Sequence, residues 1–168
     1  MIFASLLSAL ALSSASSNPE EILDVLDRFF VALERADADA MRSMVEEGTL
    51  LTSLRRGEDD VPATQATERD DWIGSLDGLE GVIVELYWSP KVEVSPVGLA
   101  HAWVPYVVEA NGERVHCGVD AFTLIKRESG WRISGLYDTR DPHGCDRLSL
   151  EEGRETMRPA ALRAKLKS

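Results

Sequence analysis

The chain has 168 residues, 44% of them hydrophobic and 28% charged, enough for one globular domain with its own core and hardly for two. Its formal net charge of −11 argues against nucleic acid, which is held by basic surfaces, and against anionic membranes. No apolar run reaches the eighteen or so residues that span a bilayer. The two cysteines, Cys117 and Cys145, form no CxxC or histidine-spaced motif, so no metal and no cofactor are expected.

Met1 to Leu12 carries no charged side chain and is followed by Ser13, Ser14, Ala15, Ser16 and Ser17. An apolar stretch ending in small residues is the pattern of a secretory signal peptide. No Lys or Arg precedes it, and the other reading is an apolar first helix packed on the domain. A secreted or periplasmic protein is the expectation, with residues 1–17 set apart as a signal peptide, a domain at 18–145 and a helical tail at 146–168.

Asn18-Pro19-Glu20-Glu21 starts a helix: Asn caps, Pro suits the first turn and Glu complements the dipole. Ile22, Leu23, Leu26, Phe29, Phe30 and Leu33 then recur at helical spacing. Asp37 caps a second helix through Met41, Met44 and Val45, which Gly48 ends. Residues 49–54 read as a short strand, and residues 55–67, polar and broken by Gly57 and Pro62, as a loop. A third helix opens at Thr67 and carries Trp72, Ile73 and Leu76. The next strand, residues 82–94, is broken near Ser89-Pro90. Residues 99–110 and 113–127 form a hairpin across Asn111-Gly112. After a turn at Glu128-Ser129-Gly130 comes a last strand, 131–140, and a C-terminal helix is predicted over 148–167. Helices followed by long antiparallel strands give an α+β order.

This order resembles the nuclear transport factor 2-like superfamily, which includes the SnoaL-like polyketide cyclases and ketosteroid isomerase. The motifs that carry the likeness are Trp103-Val104-Pro105-Tyr106, the Asn111-Gly112 turn, His116 to Phe122 (HCGVDAF), Gly130-Trp131, Asp138-Thr139-Arg140 and Cys145. They are most similar to a bacterial branch named SnoaL-like or lumazine-binding. The resemblance covers about residues 18–145 and implies a cone, a curved sheet wrapped around N-terminal helices. Relatives use this cone for isomerase, dehydratase or cyclase chemistry, or only to bind ligands or partners, and fold does not choose among these. The Tyr and Asp pair of ketosteroid isomerase does not map onto this sequence.

Register follows from the turns. With Asn111-Gly112 as turn residues, Ala110 faces Glu113, His101 faces Phe122 and Trp103 faces Asp120. A three-residue loop at Glu128-Ser129-Gly130 sets Phe122 against Leu136 and Asp120 against Asp138. His101, Trp103, Asp120, Phe122, Leu136 and Asp138 then share one face. Two facing carboxylates repel, so one titrates high, and such a pair in an apolar cleft suits acid–base work, with His101 to relay a proton. The alternatives are aspartates on a solvated rim, or paired with Arg114, Arg132 or Arg140. Trp103, Tyr106, His116, Phe122 and Leu136 are the expected ligand contacts, for an apolar or aromatic small molecule. The same register carries Asp141 opposite Cys117, within reach of a Cys117–Cys145 disulfide if the chain is exported. His143 is expected in a loop. Trp131, Ile133, Ile125 and Ala121 form a second apolar face, which a homodimer would cover; otherwise sheet curvature and the C-terminal helix cover it. Three functions stay open: a binding cone, a cofactor-free isomerase, dehydratase or cyclase with an Asp base, and a dimeric interaction domain with a plugged cone.

Overall fold

The computed structural model describes residues 18–56, 61–76, 83–141, 144–148 and 150–165; the expected signal peptide and His143 lie outside them. Helix α1 runs Pro19–Glu34, with the Asn18 side chain accepting from the Glu20 amide, and α2 runs Ala38–Met44, capped by Asp37. Strand β1 (Leu50–Arg56), strand β2 (Pro62–Glu68) and helix α3 (Arg69–Leu76) follow. Then come β3 (Ile83–Tyr87), β4 (Lys91–Val94), β5 (Leu99–Ala110), β6 (Glu113–Arg127) and β7 (Gly130–Arg140). The sheet order is β2-β1-β7-β6-β5-β3, with β4 also paired to β5. It is antiparallel except for β1 and β7, which run parallel. This is the expected α+β layout, with helices against one face of a curled, open sheet.

The core sits between α1 and the inner sheet face. Ile22, Leu26, Phe29, Phe30, Met41, Phe122, Leu124 and Ile133 are all at most 1% exposed. Phe122 meets Phe29 and Phe30 edge-on at centroid distances of 5.7 and 5.9 Å, a favoured aromatic geometry.

Four expectations need correction. The loop expected over 55–67 contains β2, an edge strand that begins at Pro62 and exposes almost every residue; an edge tolerates Pro and polar residues on both faces. The β5–β6 hairpin starts in the expected register, Ala110 against Glu113, but a bulge beyond Glu109 moves the pairing by one. Val104, not Trp103, therefore faces Asp120, and His101 faces Thr123. His101 and Trp103 go to the outer face, where both are exposed. The β6–β7 turn pairs Arg127 with Gly130, one residue tighter than expected, and a second bulge between Thr123 and Leu124 restores the offset. Phe122 faces Leu136 and Asp120 faces Asp138, as read from the sequence. The same bulge puts Leu124 against Ile133, so Trp131 and Ile133 pack into the core rather than forming an outer patch.

The fourth correction is the C-terminal helix. It is broken into α4 (Gly144–Arg147), α5 (Leu150–Gly153) and two 3-10 turns on either side of Pro159, which cannot continue a helix. This segment packs Leu150, Met157 and Leu162 against Val84, Leu86, Trp88 and Val107, on the sheet side opposite α1. Arg158 fastens it: its backbone pairs with Tyr87, and its guanidinium lies 2.9 Å from Asp27, which also accepts from the Tyr87 hydroxyl at 2.7 Å. A disulfide joins Cys117 to Cys145, and Asp141 pairs with Cys117 as the register required.

Candidate functional site

The inner face stays apolar only part of the way along the strands. On β6 it runs from Phe122 through Asp120 to Gly118 and His116. On β7 it runs through Leu136, Asp138 and Arg140, and on β1 through Leu51, Ser53 and Arg55, matched pairwise across the parallel ladder. Exposure rises in the same direction: Leu51, Ser53, Leu136, Asp120 and Asp138 are buried, His116 and Arg140 half-buried, and Arg55 exposed. A cavity of about 510 Å³ opens along this gradient, with Phe29 and Leu33 of α1 and Trp72 and Leu76 of α3 as its far wall. It is large enough for a small ring-bearing molecule.

Three carboxyl groups face it from the strands, Glu85, Asp120 and Asp138, and a fourth, Asp71, from α3. Asp138 is held by one cation and by a hydroxyl. It accepts from Arg140 Nε at 2.8 Å and from the Ser53 hydroxyl, and the Tyr106 hydroxyl lies 3.4 Å away. Arg140 also reaches Ser53 Oγ, at 3.2 Å. Asp120 has no such support. It is 3% exposed and hydrogen-bonded to Glu85 across β5. Two carboxyl oxygens can share a hydrogen bond only when one carries a proton. Burial pushes Asp120 well above the usual carboxylate range, and the charges of Glu85 and Asp138 push it the same way. Burial lifts Glu85 to about 8, against the opposing hydrogen bond from Asp120. The pair therefore holds a proton at neutral pH.

Tyr106 and His116 complete this wall. The Tyr106 hydroxyl donates to the Thr139 carbonyl at 3.0 Å, and its oxygen lies within hydrogen-bond distance of His116 Nε2, at 3.1 Å. Burial, and then the Arg140 charge, lowers the His116 pKa, so the ring is neutral. Burial and three nearby carboxyls hold the Tyr106 phenol far above its ordinary value. The Tyr106 ring can lie there because residue 118 is Gly: a Cβ would sit 1.7 Å from the Thr139 carbonyl oxygen and 2.8 Å from the ring.

Of the residues singled out in the sequence, Asp120, Asp138, Tyr106, His116 and Leu136 come together around the cavity. Phe122 closes the floor beneath it as a fully buried core residue. His101 and Trp103 do not take part. The sequence reading missed Glu85, Ser53 and Arg55, and gave Trp72, which packs against the core and also walls the cavity, no part in the site. Glu85 alone left a trace, a charge between Val84 and Leu86 in a short apolar strand. Among the described residues no cluster of His, Cys, Asp or Glu is arranged to hold a metal, and no helix is long and apolar enough to cross a membrane.

No family model and no curated protein matches the sequence. Solved structures do. An NTF2-like protein with a cystatin-like fold from Novosphingobium aromaticivorans aligns over 77% of this chain and 86% of its own, at 16% identity and a TM-score of 0.57. The beta subunit of a proposed aromatic-ring-hydroxylating dioxygenase from the same organism aligns over 73% and 88%, at 13% identity and a TM-score of 0.60. A proposed dehydratase of the NTF2-like family from Streptomyces avermitilis aligns over 73% and 95%, at 14% identity and a TM-score of 0.54. These neighbours do not single out the SnoaL-like or lumazine-binding branch. With its helix-then-sheet order and curled open sheet, the chain has the cone-shaped, cystatin-like fold of the nuclear transport factor 2-like superfamily.

Proposed function

We propose that the chain holds a small, largely apolar, ring-bearing molecule in the cone. The observation that carries this reading is the cavity of about 510 Å³, walled by Phe29, Leu33, Trp72 and Leu76 on one side and by polar strand residues on the other. An apolar wall with a few convergent polar groups is the usual make-up of a ligand pocket. The test is calorimetric titration with bicyclic aromatic compounds of the native protein and of Ala110→Trp, which fills the cavity from a half-exposed position. Saturable binding that the variant loses while staying folded supports the reading. No saturable binding by the native protein sinks it.

The proton shared by Glu85 and Asp120 favours chemistry over simple binding. In this second reading the ionised member of the pair takes a proton from a carbon next to a carbonyl, and the neutral member donates to the carbonyl oxygen. One group then acts as base and its neighbour as acid, as required for cofactor-free isomerisation or dehydration. Deuterium exchange at the α-carbon of 2-tetralone, followed by NMR, is the measurement. The native protein should accelerate it, and Asp120→Asn should not. A native rate equal to buffer returns the site to binding alone.

The Cys117–Cys145 disulfide supports an exported chain, since such bridges persist in oxidising compartments. The exposed outer row of Leu99, Trp103 and Tyr137 supports a second copy of the chain as its cover. Sedimentation of the native protein and of Trp103→Glu would test that dimer: a monomeric native protein removes it.

A further inference from the structure

Resting on the ligand-binding reading above, we infer that the ligand carries a carboxylate, held at the mouth of the cone by Arg55 with Arg140 beside it. The two arginines are matched residue for residue on the parallel pair β1 and β7, where neighbouring strands lie about 4.8 Å apart. Both line the cavity. Their surroundings differ. Arg140 is tied down through Nε to Asp138 and through Nη2 to Ser53, which aims its guanidinium and leaves Nη1 without a hydrogen bond among the described residues. Arg55 lies one step nearer solvent and makes no ion pair among the described residues. Its charge is nonetheless felt inside, at His116.

Two like charges at directly opposed cross-strand positions repel unless an anion sits between them. Asp138 satisfies one guanidinium but lies deeper than the other, its own partner on β1 being Ser53, two residues inward of Arg55. The remaining acid at the mouth among the described residues, Asp71, is exposed on α3, in the opposite wall. Across the ladder from Ser53 on β2 stands Gln65, which is uncharged and also lines the cavity. Among the described residues, the strand side of the mouth therefore presents one uncompensated positive charge, one spare guanidinium N–H edge and a neutral amide. A planar fork of donors is the geometry that recognises a carboxylate. The deeper Glu85–Asp120 pair does not oppose this ligand with two full charges, because it keeps a proton. The ligand is thus polarised: a ring against Phe29 and Trp72, its acid group outward at Arg55, and its far end toward Asp120.

The experiment is calorimetric titration at neutral pH with three matched probes, 2-naphthoate, 2-naphthamide and 2-naphthylmethylammonium, on the native protein, Arg55→Gln and Arg55→Lys. A charge-assisted guanidinium contact should favour naphthoate over the amide roughly tenfold in the native protein. Arg55→Gln should erase that preference without weakening the amide, and Arg55→Lys should restore part of it. Equal binding of naphthoate and amide, or tighter binding of the ammonium compound, overturns the carboxylate assignment and leaves the cavity reading standing. Failure of all three probes on folded native protein overturns the cavity reading and this inference with it.

Discussion

At position 122 of β6 the side chain is a phenyl ring wedged between Phe29 and Phe30 with no exposed surface. Two residues along the same strand and on the same face, Asp120 is almost as deeply buried and, among the described residues, has only another carboxyl for a partner. One cone thus has a closed end that obeys ordinary core packing and an open half that breaks it, with three carboxyls, a tyrosine, a histidine and two arginines on one wall. Buried polar groups are costly unless matched, so the open half is stable only as far as its partners satisfy one another. Asp138 is matched by Arg140 and Ser53; among the described residues Glu85 and Asp120 are matched only by each other.

The comparison can be broken or sharpened by substitution. Phe122→Ala, at the closed end, should cost most: emptying a well-packed aromatic site destabilises by about 3–5 kcal/mol, read by chemical denaturation. Next is the bridge behind the open half. Cys117 and Cys145 are 28 residues apart in sequence, and replacing both with Ser should cost about 3 kcal/mol by releasing that loop in the unfolded chain. Asp138→Asn should cost less, about 1–2 kcal/mol, because the Arg140 side chain it strands is 37% exposed and water screens it.

Glu85→Gln should change the pH dependence more than the stability at low pH. Glu85 titrates near 8 in the fold, against about 4.5 unfolded. Its stabilising contribution is therefore fully present below about pH 4.5 and lost as pH rises through 8. Native stability should fall between pH 5 and 9 by on the order of 1–3 kcal/mol, and the fall should shrink in Glu85→Gln. An unchanged profile would mean that the pair holds no proton at neutral pH. The smallest effect belongs to His101→Ala, on the outer face, which should leave stability within about 0.5 kcal/mol and cavity binding unchanged.

The elements were largely legible in the sequence because caps, turns and periodicity are local. Asn18 and Asp37 cap as read, and β5 and β6 begin and end as predicted. The inner face was legible only in part, because bulges report sheet curvature rather than residue type. One uncompensated bulge past Glu109 sent His101 and Trp103 outside. On the next pair, a turn one residue tighter and a bulge cancelled, so Asp120 and Asp138 met as expected, although the turn assumed between them was wrong. Glu85 escaped notice because its neighbours across the ladder come from β5, and that pairing follows from no hairpin turn. Arg55 lay at the edge of a segment read as loop, since β2 has no apolar face to announce it.

Gly118 also limits how this cone can diversify. Any side chain there would run into the Thr139 carbonyl and the Tyr106 ring at once. The β6 wall and its tyrosine are therefore a fixed template that cannot be resized by small steps. Room for a bulkier or differently shaped guest has to come from across the mouth, where Gln65, Asp71 and Ser75 stand exposed on β2 and α3. A search for altered selectivity would do best to randomise those three positions and leave the tyrosine side untouched.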